Sequence, residues 1–186
     1  MSLGIQHISA AYDRISPFIH KTPLIRSKEI DKLCGCEIIF KADNFQKVGA
    51  FKARGACNAI MSMEDECLRR GVITHSSGNH GAALAWAAAM KKTDCIVVMP
   101  KNASAVKIDA VNCYGGTVLF CEPTMCARET MVQDFVSKQS SQFIHPFDDY
   151  SVIAGQGTIA VEFASQLDGL LDKILVPVGG GGLISG

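Results

Sequence analysis

Three stretches of this sequence combine residue types and spacing in ways that can do chemistry. In FQKVGAFKARGACNAI, Lys52 stands beside Phe51 near the start of a predicted helix, in mainly apolar company. Burial of that kind disfavours the ammonium form, and the neutral amine can attack an aldehyde carbon. Taken alone, the same residue also reads as a lysine snorkelling along a helix face. In VITHSSGNHGAALAWAAA, a short Ser/Gly/Asn turn joins a predicted strand to an alanine-rich helix. The N–H groups of such a turn, with the hydroxyls of Ser76 and Ser77, form a cradle for a carboxylate or phosphate. Alone, the turn reads equally as an ordinary capped helix start, and His80 as a satisfied structural histidine. In the third stretch, Gly179, Gly180, Gly181 and Gly182 follow an apolar run, so backbone amides can approach a phosphate with no Cβ in the way. A flexible chain segment would carry the same four glycines.

The elements that must position these residues follow from hydrophobic periodicity. From residue 71 onward, short β-rich runs at 71–74, 95–99, 117–120 and 173–178 alternate with helical patterns at 79–90, 103–114 and 123–138. Alternation of this kind specifies βαβ units and a parallel sheet, hence a doubly wound α/β fold. Upstream, the pattern predicts an amphipathic helix over 5–15, a strand over 37–41 and a helix over 50–69, with a further helix over 158–166 before the last strand. In such folds a glycine loop feeds a helix whose N-terminus completes an anion site. Here the sequence stops at Gly186, where that helix would begin.

Composition narrows the function classes. With 48% hydrophobic and 19% charged residues in 186, the chain has the make-up of a packed globular protein. Eighteen basic residues balance 18 acidic ones, which gives no net field to attract nucleic acid or an anionic membrane, so small-molecule chemistry is the default. The N-terminal residues lack a basic leader followed by an apolar run, and nowhere are there about 18 consecutive apolar residues. A cytoplasmic location is expected, with most of the eight cysteines as reduced thiols. Cys34 and Cys36 form a CxC with no partner pair at zinc spacing, so no metal site is expected within the chain.

FKARG, SSGNHG and GGGGLISG, in this order, resemble the fold-type II pyridoxal-phosphate (PLP) enzymes of the tryptophan synthase β type. VMPKNAS, YGG, CEP, HPFDD and AGQGTIA are similar to segments of the eukaryotic serine racemases and related serine/threonine dehydratases. The resemblance implies that Lys52 is the Schiff-base lysine, that Phe51 packs beside the cofactor and that Asn79 bonds its phenolic oxygen. It assigns the phosphate to Gly179, Gly180, Gly181, Gly182 and Leu183, and the substrate carboxylate to Ser76, Ser77, Asn79 and His80, assisted by Arg128. Racemisation needs an acid/base on each face of Cα, whereas elimination needs one base and a protonated leaving hydroxyl. Lys52 serves one face and Ser77 the other; dehydratases that do not racemise tend to have alanine at the Ser77 position, so the reading favours racemisation of serine accompanied by dehydration.

Further expectations come from the same likeness. Residues 71–149 form a small α/β domain, and 1–70 with 150–186 form part of a larger PLP-binding domain. The large domain of the family continues past the glycine loop, and that continuation carries the partner of the pyridine nitrogen, a magnesium or manganese site and much of a homodimer surface. The mammalian ATP-activation site is matched at Lys47 but not at Ser27, Lys28 or Ala82, so ATP is not carried over as an effector. HPFDDY lacks the serine triplet of similar aspartate racemases, which implies serine over aspartate. The alternatives are an L-serine/L-threonine dehydratase without racemase activity, and a non-catalytic partner of a longer enzyme.

Overall fold

The computed structural model describes residues 3–186. Its centre is a parallel sheet in the order β5-β4-β3-β6, made of β3 (Val72–His75), β4 (Cys95–Pro100), β5 (Thr117–Cys121) and β6 (Gln142–Phe143). The strands are joined by α5 (Asn79–Met90), α6 (Ala105–Cys113) and α7 (Met125–Gln139). Side chains alternate across the pleat, and the core divides accordingly. Val72, Val97 and Met99 join one cluster with Ala83, Leu84 and Ala87 of α5, whereas Ile73 and Val98 join another with Val132 of α7. This gives the helix, sheet, helix layering expected of a doubly wound fold.

Four further helices stack on the α5 side. These are α1 (Ile5–Ile15), α3 (Lys52–Met61), α4 (Asp65–Arg69) and α8 (Tyr150–Ala164), of which α3 packs against α1, α5 and α8. The α3–α8 crossing is close enough to demand glycine. A Cβ on Gly155 would lie 2.6 Å from the Arg54 carbonyl oxygen and 2.6 Å from Gly55 Cα. A two-strand antiparallel ribbon, β1 (Leu24–Ile25) with β2 (Phe40–Lys41), flanks the short α2 (Lys28–Cys34). Among the described residues no helix is long and apolar enough to cross a membrane.

The structure revises four sequence expectations. The helix predicted over 50–69 is two helices, because the Ser62 hydroxyl donates to the Ala59 carbonyl and Asp65 and Glu66 favour a new N-terminus. The helix predicted over 158–166 begins at Tyr150, capped by the Asp149 carboxylate, which accepts from Val152 N–H at 2.9 Å. The strand predicted over 37–41 pairs only at Phe40–Lys41. The segment 173–178 is not a strand: it has no neighbouring strand to hydrogen-bond, and Leu175 stands 93% exposed. The glycine loop after it does feed a helical turn, α9 (Gly182–Ser185).

A buried ionic cluster holds α3 to its neighbours. Arg54 is fully buried; Nε donates to Asp43 Oδ2 at 2.7 Å, Nη2 to Asp43 Oδ1 at 2.9 Å, and Nη1 to Glu162 Oε2 at 3.0 Å. Lys41 Nζ donates to Glu162 Oε1 at 2.5 Å and to Gln166 Oε1 at 2.6 Å. Burial opposes the charge on Glu162, yet these donors outweigh it and hold its carboxyl below the ordinary range. Arg54→Met would leave two buried carboxylates undercompensated. The expected loss is about 3–5 kcal/mol in urea unfolding. A loss under about 1 kcal/mol, the value of an exposed pair, would contradict this role.

Candidate active site

Sheet topology directs attention to one edge. The chain runs β3 to β4 to β5 in one direction and then returns to place β6 on the far side of β3, so the strand order reverses beside β3. In open α/β sheets ligands bind beyond the carboxyl ends of the strands at such reversals. The loops that leave β3 and β6 there carry Ser76–Asn79 and residues 144–149. The first turn of α7, which carries Arg128, starts from the same edge after β5.

Lys52 opens α3 directly after a tight turn with Val48 at φ 55° and Gly49 at φ 70°. Its side chain reaches the loop after β6, where Nζ donates to the Pro146 carbonyl at 2.6 Å. Burial lowers its pKa from the ordinary value of 10.5. Lys52 and Phe51 line a cavity of about 320 Å³ together with Phe147, the glycine loop 179–182 and Leu183. That volume lies at the lower end of small-molecule sites. The N–H groups of Gly179, Gly180 and Gly181 find no acceptor among the described residues, and Gly181 has φ +85°, a conformation that favours glycine.

The Ser76–His80 turn is organised from within. The Ser76 oxygen accepts from Gly78 N–H at 3.2 Å and from Gly81 N–H at 3.1 Å, fixing the start of α5. Ser77 is half-buried and is the turn's remaining hydroxyl, and Asn79 is exposed; Ser76, Ser77, Asn79, His80 and Arg128 all lie outside the lining of the Lys52 cavity. His80 is buried with neither ring nitrogen hydrogen-bonded, and Arg128 has a buried, unpartnered Nε. Burial first, and the Lys52 charge second, push the His80 pKa down to about 3; the Ile144 backbone opposes this without completing a hydrogen bond.

Residues not anticipated as site components complete the edge. His145 packs its ring edge-on to Phe147 at 4.6 Å and to His75 at 5.5 Å. Its Nδ1 accepts from Asp148 N–H at 2.8 Å, which leaves the proton of the neutral ring on Nε2. Burial lowers the pKa of both His75 and His145; the Arg128 charge adds to the first and the Lys52 charge to the second. HPFDD is legible in the sequence as a motif, but nothing in its residue types singles out Phe147.

The arrangement fits a phosphorylated aldehyde. It offers a desolvated lysine for the aldehyde and side-chain-free amides for the phosphate. The chain belongs to the family of pyridoxal-phosphate dependent enzymes, whose family model matches residues 15–186. Among particular relatives it is 48% identical to the serine racemase of Dictyostelium discoideum over 185 residues, 100% of this chain and 57% of that protein. The solved structure of maize serine racemase superposes with a TM-score of 0.96 at 41% identity, covering 99% of this chain and 56% of that one. Threonine deaminase isoform 2 of Solanum lycopersicum, in its processed form, gives a TM-score of 0.90 at 34% identity, with 97% and 50% covered. The chain therefore spans about half the length of the relatives it matches.

The His80 environment makes a prediction about acid. Its folded pKa of about 3 lies below its ordinary 6.5, so the stability contributed by the neutral ring is complete above 6.5 and falls as pH drops towards the folded value. NMR titration should find the His80 ring neutral throughout the window of about pH 5–8. Protonation of His80 within that window, in folded protein, would contradict the assigned environment.

Proposed function

We propose that the protein containing this chain interconverts L- and D-serine with PLP and also dehydrates serine to pyruvate and ammonia. The observation that carries the reading is that a desolvated Lys52 and a four-glycine loop line one cavity. Lys52 would be the covalent anchor, with Phe51 beside the cofactor ring and Asn79 near its phenolic oxygen. The amides of Gly179 to Gly182 and of Leu183 would receive the phosphate. Pyridoxal phosphate, when bound, supplies an electron sink for the charge left on the substrate Cα.

The chain's own groups do the rest. The turn N–H groups, the Ser76 and Ser77 hydroxyls, Asn79, His80 and Arg128 would hold the substrate carboxylate, whose charge would compensate the unpartnered donors of His80 and Arg128. The neutral Lys52 amine would take the Cα proton from one face. Ser77, not committed to the turn as Ser76 is, would exchange a proton on the other face. The likeness to threonine deaminase supports a second reading, dehydration without racemisation. The division into a small domain over 71–149, flanked by pieces of a larger one, is supported by the confinement of the four-stranded sheet to β3 through β6. We further propose a cytoplasmic homodimer; the exposed Leu170, Ile174 and Leu175 are apolar surface suited to burial by more protein.

Two measurements test this. Borohydride trapping after incubation with PLP, followed by peptide mapping, should label Lys52 and should fail in Lys52→Ala; labelling of another lysine in place of Lys52 would refute the anchor. In an enzyme preparation that turns over serine, Ser77→Ala should lower racemisation by about 10²–10⁴-fold while L-serine elimination survives. Parallel losses of both activities would reduce Ser77 to carboxylate binding.

A further inference from the structure

Lys52 and the glycine loop are far apart in sequence, and the cavity works as a PLP site only if the distance between them is fixed. One short segment touches both. Pro146 gives its carbonyl to Lys52 Nζ at 2.6 Å. The next residue, Phe147, presses on the loop: a Cβ on Gly180 would lie 2.4 Å from both Cγ and Cδ1 of the Phe147 ring and 2.7 Å from its Cδ2. A Cβ on Gly182 would lie 2.9 Å from the Phe147 oxygen and 3.1 Å from its Cα. The ring therefore sits flush against the bare backbone of the loop. The segment is itself braced, because Phe147 N–H donates to His145 Nδ1 at 3.3 Å and the two rings meet edge to face.

We propose that Phe147 is a positioning residue that seats the glycine loop at the correct distance from Lys52, so that its amides point at the phosphate of the bound cofactor. The proposal rests on the PLP reading of the cavity. It assigns Phe147 a role in the phosphate contact and none in the covalent one, since Lys52 is bonded to the Pro146 carbonyl and not to Phe147. Pyridoxal, the same aldehyde without phosphate, separates the two contacts. A residue that acts through the loop should affect PLP and leave pyridoxal almost untouched.

The test compares apparent affinities of the 186-residue chain for PLP and for pyridoxal, by absorbance titration with borohydride mapping of the adduct to Lys52. Wild type should prefer PLP. Phe147→Ala should lower that preference by about tenfold or more, as expected when a hydrogen bond to a charged group is weakened. Gly180→Ala, whose methyl would meet the ring, should do the same, and Phe147→Leu should fall between. Phe147→Tyr should restore the preference, because the ring atoms nearest Gly180 are at its base and the para position lies at the opposite end. An unchanged ratio in both Phe147→Ala and Gly180→Ala, including a parallel weakening of the two aldehydes, would overturn the assignment and leave the PLP reading standing. Absence of a Lys52 adduct with either aldehyde in wild type would overturn the PLP reading, and this inference with it.

Discussion

The site depends on the burial of Arg54. Its guanidinium takes both oxygens of Asp43 and both of Glu162, and Lys41 completes the set, so two cations meet two carboxylates with almost no water. Removing one member of such a group leaves a charge that the interior does not tolerate, which makes the cluster all-or-none. Arg54 lies two residues after Lys52 on α3, roughly 200° round the helix. The side of the first turn that faces Asp43 and Glu162 is locked, and the opposite side carries the lysine. The position of Lys52 is thus inherited from an ionic contact that has no chemistry of its own.

A second constraint acts at the carboxyl edge of the sheet. Three histidines, Lys52 and Arg128 converge there; burial, with repulsion from neighbouring cationic groups, lowers the pKa of each of these histidines, and burial lowers that of Lys52. Unsatisfied donors at His80 and Arg128 carry a desolvation penalty of about 1–3 kcal/mol each.

Much of this was legible in the sequence, though unevenly. The helices α1 and α5 and the strands β3, β4 and β5 follow from periodicity, because each is long enough, or apolar enough, to outvote its neighbours. The start of α8 was hidden by Gly155 and Gly157, which weaken a helical reading; yet Gly155 is required by the contact with Arg54 and Gly55. β6 is two residues of ordinary polarity, and only its pairing with β3 makes it a strand. The three motifs located Lys52, the Ser/Asn turn and the glycine loop. The role of Phe147 depends on a ring meeting a backbone more than thirty residues away, and no local pattern encodes that.

The structure also separates the lysine suited to chemistry from one that is merely buried. Lys41 and Lys52 are both desolvated, and both have a lowered pKa with burial as the largest cause. For Lys41 that cause is opposed by a Glu162 carboxylate at 2.5 Å, so its charge is balanced and its three donors are engaged by Thr22, Glu162 and Gln166. No carboxylate opposes the shift of Lys52, whose Nζ donates to the Pro146 carbonyl and lies 5.4 Å from the centroid of the Phe51 ring. A carbonyl stabilises an ammonium less than a carboxylate does, and a neutral amine can still donate one hydrogen to it. Lys52 can therefore lose its proton without breaking its contact, whereas Lys41 would unbalance the cluster that holds α3. Of the two, only Lys52 has the electrostatics of a nucleophile and a base.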